Sequence, residues 1–292
     1  MGHSIALTAC QSFSNTCSPS FQGVNTFGTI PHEQWRLPTW IQAAKVRNGD
    51  YAKMRLGMNR TSLVTRHRWR YMSGFLAQHA LLDPYEFFWR IDPGVEIFCD
   101  LGDDPMMAMK SSGQKFAWSI SSVVNEAGVP GAWSLIQKFK TLHRDLLPSG
   151  YDEAFLARES GNTFTACTYN TQNSIGRVGF FRSAAYQTYF DLIDQEGLFY
   201  YEKWDDGVAM TIGLSLLLRR TDTLFLEPLG WRHGSAAYCP DQHCPCNPQL
   251  NNLPLHLSCT PFWKGLSKSP EMKRRLECRE DGKCVLYVSK LG

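Results

Sequence analysis

The sequence predicts an α/β protein, and three observations support this fold class. Runs rich in β-forming residues alternate with amphipathic helical runs along residues 38–226, which is the pattern of a sheet covered by helices. The 292 residues are 43% hydrophobic and 20% charged, a globular composition sufficient for one large domain or two small ones. No segment has the roughly 18 to 20 uninterrupted apolar residues of a membrane-spanning helix.

Five helices are predicted from apolar periodicity and from residues that begin or end helices. The first is expected to stop at Asn48-Gly49. In the second, Arg66, Arg68 and Arg70 alternate with aromatic residues, which is typical of a solvated face and, in fewer proteins, of an anion site. The predicted helices cover residues 38–46, 61–79, 133–143, 183–194 and 208–218.

Strands are predicted where β-branched and aromatic residues cluster between turn residues. Pro93-Gly94 separates the first two strands, and this dipeptide suits a sharp turn at which the chain reverses. His233 lies just beyond the last strand, where open α/β sheets place ligand groups, although an isolated loop histidine is more often a surface residue. The predicted strands cover residues 85–92, 95–100, 115–123 and 221–226.

Three regions are expected along the chain. Residues 1–26 are rich in Ser, Thr, Asn and Gly without periodicity, so an irregular N-terminal arm is predicted. Residues 27–259 contain the predicted helices and strands and are expected to form the folded domain. Residues 260–292 are basic and hairpin-like, with Asp281-Gly282 as the turn, and are expected to be an appendage.

Charge and the N-terminus exclude several classes of protein. The net charge of +3 is slight, so a general nucleic-acid or membrane-surface binder is not indicated. The first residues lack a basic segment followed by an apolar one, so no export signal or membrane anchor is predicted.

Ten cysteines are more than a cytosolic enzyme of this size usually contains. This number favours disulfides. The alternative is a zinc site made of Cys239, Cys244 and Cys246 with His243 and Cys259, although this spacing lacks the paired C-x2-C arms of zinc ribbons. Both interpretations stay open, with disulfides preferred.

In the segment 196–213, three carboxylates fall within five positions, among aromatic side chains and just before an apolar helix. They belong to Glu202, Asp205 and Asp206. Charged side chains are rarely buried unless paired, so such carboxylates are either anchored by cations or kept for chemistry. The alternative is a surface turn in which Asp205 or Asp206 caps the next helix. Spacing alone leaves the two interpretations open.

Two stretches of the sequence resemble one protein family. One is Phe-Phe-Trp-Arg-Ile-Asp-Pro-Gly-Val-Glu-Ile-Phe-Cys-Asp at 87–100, and the other runs from Ile175-Gly176 into residues 196–213. From Phe27 to about Cys259, the chain is similar to the fungal Golgi α-1,2-mannosyltransferases of glycosyltransferase family 15. The resemblance implies a GT-A-like mixed sheet flanked by helices. It also implies manganese-assisted transfer of mannose from GDP-mannose to a hydroxyl of a glycan or other acceptor, with retention of configuration.

The resemblance assigns roles to individual residues. Asp92 falls on the glutamate of the family's Glu-Pro-x element and His233 on its metal-binding histidine, so both are expected to bind Mn²⁺. Glu202 matches the glutamate of the Tyr-Glu-Arg-Trp element, the nucleophile or stabiliser of the sugar cation. Asp206 matches the acidic residue that follows it, and Asp205, where the family tends to have glycine, is expected to cap the helix.

Donor binding is expected from Asp206 and from three arginines. Arg66 and Arg70 are expected to help hold the diphosphate, and Arg90 to lie at the donor site. The family's Tyr-Arg-His-Met-Cys-Arg is here Thr-Arg-His-Arg-Trp-Arg at 65–70, and its Ser-Asn-Phe-Glu-Ile-Gly is Thr-Gln-Asn-Ser-Ile-Gly at 171–176. The second difference removes an acidic group near the acceptor, so a different acceptor is expected.

The family begins its catalytic domain with a strand-helix-strand unit that helps to hold the nucleotide, and this chain is expected to start after that unit and to lack it. A second hypothesis follows, in which the chain is a non-catalytic or truncated protein of the same fold that acts as a binding partner. Association with related transferases is a further expectation. The resemblance implies the Golgi lumen, although the sequence shows neither signal nor anchor.

Overall fold

The described part of the chain contains helices and short strands in alternation. The computed structural model describes residues 4–9, 24–55, 58–99, 102–158, 161–240, 244–247, 249, 251, 257–268, 272–278 and 284–290. The α-helices in these ranges are α1 (Ala43–Arg55), α2 (Leu63–Arg70), α3 (Pro105–Ser112), α4 (Ala132–Leu142), α5 (Glu153–Leu156), α6 (Val178–Phe181), α7 (Ala184–Gln195), α8 (Leu198–Tyr201), α9 (Asp206–Leu217) and α10 (Thr260–Lys268).

The strands form small sheets around one four-stranded mixed sheet. The strands are β1 (Ser4–Ala9), β2 (Val24–Thr29), β3 (Phe87–Ile91), β4 (Glu96–Ile97), β5 (Phe116–Trp118), β6 (Ser121–Val123), β7 (Cys167–Tyr169), β8 (Asn173–Arg177), β9 (Thr223–Phe225), β10 (Trp231–His233), β11 (Ala236–Tyr238), β12 (Met272–Cys278) and β13 (Cys284–Lys290). The main sheet has the order β3-β8-β5-β9. Its β5–β9 pair is parallel and its other pairs are antiparallel, so the predicted mixed sheet is confirmed.

Helix α9 lies at the centre of the core. Every residue of α9 except Gly207 is buried, as expected for a helix that is apolar on all sides. Helices α5 and α7 and strand β7 pack against it. The aromatic stripe of α7 faces inward, because Tyr186, Tyr189 and Phe190 are all buried. The structure therefore confirms that these aromatic side chains belong to the core.

Three predicted helices are confirmed with small shifts at their ends. They are α4, α7 and α9, and the last two begin at side-chain caps. Ser183 Oγ accepts a hydrogen bond from the Tyr186 N–H at 3.3 Å, and Asp205 Oδ1 accepts one from the Val208 N–H at 2.8 Å. These bonds satisfy backbone donors that have no partner within the helix. The predicted capping role of Asp205 is confirmed.

The helix predicted at 38–46 is wrong at both ends. Residues 38–42 are turns and bends, and α1 begins at Ala43 and continues through Asn48-Gly49 to Arg55. An Asn-Gly pair does not have to end a helix when the flanking residues are helical, since glycine destabilises a helix by only about 1 kcal/mol relative to alanine. The helix predicted at 61–79 is present as α2, continued by a π-helical turn at Tyr71–Phe75 and a 3₁₀ turn at Leu76–Gln78.

The chain turns at Pro93-Gly94 as predicted, but the two flanking strands do not pair with each other. Gly94 has a φ of +86°, a conformation that favours glycine. Strand β3 pairs with β8, whereas β4 pairs with β10 in a different sheet. The run predicted at 115–123 is likewise divided into β5 and β6, which belong to two sheets. Strand partners depend on contacts distant in sequence, which local patterns do not specify.

Both ends of the chain depart from the predicted regions. The N-terminal arm is not irregular throughout, because β1 pairs antiparallel with β2 from Ser4↔Thr29 to Ala9↔Val24. At the other end, α10 belongs to the folded domain rather than to an appendage, since Phe262 and Trp263 are buried in the core. The Trp263 ring lies edge-on to Trp118, with 5.0 Å between centroids. The hairpin predicted beyond α10 is present as β12 and β13.

Three disulfides account for the described cysteines of the zinc hypothesis. They are Cys99–Cys244, Cys167–Cys259 and Cys239–Cys246. Sulfurs joined in disulfides are not thiolate ligands, so the zinc interpretation is wrong for these residues. His243, Cys10 and Cys17 lie outside the described residues. The preference for disulfides is confirmed.

We expect the Cys167–Cys259 disulfide to stabilise the fold more than the Cys239–Cys246 disulfide does. It closes 92 residues, whereas Cys239–Cys246 closes 7, and a longer loop loses more entropy in the unfolded chain. Replacing both cysteines with alanine should lower the free energy of unfolding by about 4 kcal/mol for the first pair and about 2 kcal/mol for the second. Urea denaturation measures both values. Equal losses would contradict the loop-length explanation.

Within the described ranges, no helix combines the length and apolar content needed to cross a bilayer.

Candidate active site

Five side chains from four parts of the fold meet in one hydrogen-bonded group, here called the ion cluster: Arg68, Arg90, Asp92, Thr171 and Asp206. Arg90 donates from Nε and Nη2 to the two Asp92 carboxylate oxygens at 2.9 and 3.0 Å. Its Nη1 donates to Asp206 Oδ2, which also accepts from the Thr171 hydroxyl at 2.6 Å. Arg68 Nη2 donates to Asp92 Oδ2. Buried charges are tolerated when they are paired in this way.

Local structure explains why these residues meet. Arg90 is a buried residue of β3, and Asp92 follows the strand with its N–H donating to the Gln172 carbonyl at 2.8 Å. Asp206 is the first residue of α9, close to the positive end of the helix dipole. Arg68 comes from α2. The end of β3, the start of α9 and one face of α2 therefore come together at this point.

The two neighbouring aspartates of α9 have opposite pKa shifts. Burial alone would raise the pKa of Asp206, but the Arg90 guanidinium and the Thr171 hydroxyl hold it below its ordinary value. Burial, and then the negative charge of Asp206, raise the pKa of Asp205 to about 6. Asp206 is thus the stable anion of the cluster, whereas Asp205 takes up a proton in mildly acidic solution.

This difference predicts a pH-dependent gain in stability for Asp205→Asn. The folded protein raises the pKa of Asp205 from 3.8 to about 6, so it binds more protons than the unfolded chain between these values. Stability from this group is therefore present below pH 4 and is lost as the pH rises through 6. Asparagine also caps helices but is uncharged, so the variant should gain about 1 to 2 kcal/mol at pH 7.5 and little at pH 4. Urea denaturation at both pH values measures this.

The control is Asp104→Asn. Asp104 is also an aspartate that caps a helix, because its Oδ1 accepts from the Met106 and Met107 N–H groups at the start of α3, at 2.8 and 3.4 Å. This variant measures the effect of exchanging the capping group. If both variants gained equally at pH 7.5, the capping exchange rather than the charge of Asp205 would be responsible.

Glu202 lies in the short loop between α8 and α9 and is half-buried. The Gly131 N–H, at the start of α4, donates to its two carboxylate oxygens at 3.1 and 3.2 Å. The buried Trp204 indole donates to Oε2 at 2.8 Å. A Cβ atom on Gly131 would lie 2.6 Å from Oε1, so only glycine permits this close approach. The Gly131 N–H and the Trp204 indole, both uncharged donors, thus orient the carboxylate.

Arg66 and Arg70 are placed differently from what the sequence suggested. Both are buried, and their described partners are backbone carbonyls for Arg66 and a buried carboxylate for Arg70. Arg66 Nη1 donates to the backbone carbonyls of Phe199, Tyr200 and Glu202 at 2.9, 2.9 and 2.7 Å. Arg70 makes a two-pronged ion pair with buried Asp194 at 2.7 and 2.8 Å. Their geometry fits a structural role, in which Arg66 fixes the backbone that presents Glu202.

The two predicted metal ligands are close in space but do not form a metal site by themselves. His233 is the last residue of β10, not a loop residue, and its Nε2 lies 3.2 Å from the Pro93 carbonyl oxygen. Asp92 accepts hydrogen bonds from Arg68 and Arg90. Within the part of the chain that the structure describes, no group of three or more His, Cys, Asp or Glu side chains could hold a metal. These residues do not fit the expected manganese site.

Thr171 and Gly131 were not predicted from the sequence, and Arg68 was predicted only as one of three alternating arginines. A signal existed for Arg68, because residues two apart on a helix point to different sides. Arg66 and Arg70 are four apart and share the buried face, which leaves Arg68 on another face. The contacts of Thr171 and Gly131 join residues 35 and 71 positions apart, and no local pattern indicates them.

Comparison with known proteins identifies the family. The family model described as "Glycolipid 2-alpha-mannosyltransferase" matches residues 9–268. The chain belongs to this mannosyltransferase family. The match is longer than the predicted 27–259 and includes α10.

Curated relatives within the family are mannosyltransferases of yeasts. Alpha-1,2 mannosyltransferase KTR1 of Saccharomyces cerevisiae is 31% identical over 269 residues, which are 89% of this chain and 68% of that protein. Probable mannosyltransferase KTR3 of the same yeast is 33% identical over 81% of this chain and 60% of its own length. O-glycoside alpha-1,2-mannosyltransferase omh1 of Schizosaccharomyces pombe is 32% identical over 76% of this chain and 58% of its own. The chain thus spans about three fifths to two thirds of these relatives.

Solved structures of mannosyltransferases share the fold. Core-mannan synthase A (CmsA/Ktr4) of Aspergillus fumigatus, in its Mn/GDP form, matches with a TM-score of 0.72 and 26% identity over 75% of this chain and 62% of its own. The mannosyltransferase Ktr4p of S. cerevisiae in complex with GDP matches with a TM-score of 0.76 and 21% identity, over 82% of this chain and 66% of its own. The second likeness concerns the fold alone.

Proposed function

We propose that this protein transfers mannose from GDP-mannose to a hydroxyl acceptor, with retention of configuration. The observation that supports this best is the fixed, half-buried carboxylate of Glu202, held by Gly131 and Trp204 in a chain of a mannosyltransferase family. A carboxylate beside the anomeric carbon can serve a retaining transfer, because it either attacks this carbon or stabilises its positive charge. Glu202 is the candidate for this role.

The residues around Glu202 support this role from two sides. Arg66 binds the backbone carbonyl of Glu202 at 2.7 Å and so fixes where the loop begins. Asp205 caps α9 and fixes where the loop ends. A carboxylate whose orientation is fixed in advance stabilises a developing charge without first reorganising. Arg90 and Asp206 contribute by holding the ion cluster together.

Manganese was expected from the resemblance, and the structure of the Aspergillus relative is of its Mn/GDP form. In this chain Asp92 is bound to two guanidinium groups, and His233 lies against a backbone carbonyl. We therefore assign no step of the proposed reaction to a metal. Manganese remains a variable to be tested in the assay.

The proposed place of action is the Golgi lumen. Three disulfides support an oxidising compartment, because cytosolic reductants keep thiols reduced in most proteins. Association with related transferases stays a prediction.

The proposed function is tested with purified protein, GDP-mannose and methyl α-mannoside, with and without MnCl2. We expect GDP release that depends on the acceptor, and a disaccharide whose new linkage is α by NMR. UDP-glucose is the control donor and should not be used. GDP binding without any transfer would favour the binding-partner hypothesis. Neither binding nor transfer under any condition would reject the enzyme proposal.

A further inference from the structure

We propose that the Arg68 guanidinium takes the place of the expected divalent cation and binds the diphosphate of the nucleotide sugar directly. This inference rests on the proposed function, because it concerns how the same donor is held. It accounts for the disagreement between the predicted metal ligands and the contacts that they make.

Arg68 is the one member of the ion cluster's four charged residues with a substantially exposed side chain. The exposed fraction of its side chain is 42%, compared with 5% for Arg90, 7% for Asp92 and 8% for Asp206. The hydrogen bond to Asp92 Oδ2 uses Nη2, and a guanidinium has five N–H donors in a planar fork. Arg68 can therefore stay bound to Asp92 and still offer donors to an anion from solvent.

The charges around Asp92 oppose a divalent cation at that carboxylate. Both Asp92 oxygens already accept from guanidinium groups, Oδ1 from Arg90 and Oδ2 from Arg68 and Arg90. A metal ligated by Asp92 would lie near two positive charges and would have to displace at least one of these bonds. Like charges at such short distances repel strongly where water is excluded.

A guanidinium provides the chemistry that the diphosphate needs. Arginine and phosphate form two parallel charge-assisted hydrogen bonds, and arginine keeps its charge at every relevant pH. The two positive charges of Arg68 and Arg90 balance the two negative charges of Asp92 and Asp206. Without Arg68 the cluster would be negative and would repel a diphosphate.

In the segment 65–70, arginine stands at position 68, where the family pattern given above has methionine. The flanking Arg66, His67 and Arg70 agree with that pattern. The chain also has the shorter Asp92 where the pattern has glutamate, so the predicted metal ligand and its neighbour differ together.

The test is calorimetric titration of GDP and GMP into the full chain, in EDTA or in MnCl2. We expect GDP to bind in EDTA, with a dissociation constant within about threefold of that in manganese. Arg68→Met should weaken GDP binding in EDTA by about tenfold or more, which is the size expected for one bidentate charge-assisted contact. It should weaken GMP binding less, because GMP lacks the second phosphate. Arg68→Lys, which keeps the charge but not the fork, should be intermediate.

Arg219→Met is the matched control, because Arg219 is also exposed and paired with an aspartate, Asp222, at 3.1 Å. It should bind GDP like the unchanged chain. GDP binding only in manganese, or equal affinities for Arg68→Met and the unchanged chain in EDTA, would overturn this inference alone. GDP binding in neither buffer would overturn the proposed function and this inference with it. Thermal unfolding of each variant verifies that it is folded.

Discussion

Replacing Glu202 with glutamine is expected to reduce the rate of mannose transfer by about a thousandfold, equivalent to about 4 kcal/mol of activation free energy. Glutamine has nearly the same shape and keeps one acceptor oxygen for the Gly131 N–H or the Trp204 indole. It has no negative charge with which to attack or stabilise the sugar cation. GDP release with the acceptor present measures the rate, and the melting temperature should change little.

The control for this prediction is Glu196→Gln. Glu196 is also a glutamate near the start of the same segment, but it is exposed and pairs with Lys138 at the surface. This variant should transfer mannose at the unchanged rate. If Glu202→Gln were as active as Glu196→Gln, Glu202 would be a structural cap of α4 and not a catalytic residue.

Replacing Arg90 with methionine is expected to lower the free energy of unfolding by about 3 to 5 kcal/mol, which is typical when one partner of a buried ion pair is removed. Methionine fills similar space but leaves Asp206 buried without its guanidinium and leaves Asp92 with Arg68 alone. Urea denaturation at pH 7 measures the loss. The loss should diminish at lower pH, because Asp206 without the Arg90 guanidinium becomes protonated more readily.

Two further variants separate charge from packing at Arg90. Adding Asp206→Asn to Arg90→Met should recover part of the lost stability, because it removes the uncompensated charge. Arg232→Met breaks an exposed pair with Glu96 and should cost less than about 1 kcal/mol. Equal losses for Arg90→Met and Arg232→Met would show that the ion cluster contributes no more to stability than a surface pair.

Helices could be predicted from this sequence where their signals are local. Helix α7 has a capping serine and an apolar stripe, and α9 has a capping aspartate and a continuous apolar run, so both were placed to within two residues. Strand partners could not be predicted in the same way. The partner of β3 is β8 and the partner of β4 is β10, and both partners lie far along the chain.

In the candidate site as well, residues with a local sequence signal could be predicted, and contacts between distant residues could not. Glu202 and Asp206 were singled out because their carboxylates lie close together in sequence, and Asp205 because it precedes an apolar helix. The alternation of arginines along the sequence was taken as one solvated face, which is wrong for Arg66 and Arg70 because both are buried. On a helix, Arg66 and Arg70 share the buried face and Arg68 does not. Periodicity of 3.6 residues, applied to charged as well as apolar residues, would have distinguished them.

The spacing of the arginines on α2 also limits how this protein can change during evolution. Arg66 binds the backbone that presents Glu202, and Arg68 binds the carboxylate that follows β3. Inserting or deleting a single residue between them would rotate one by about 100° relative to the other, so that both bonds could not form together. Loops at the surface can vary in length, but this segment cannot. Length variation should therefore be absent from α2 in homologues that keep arginine at both positions.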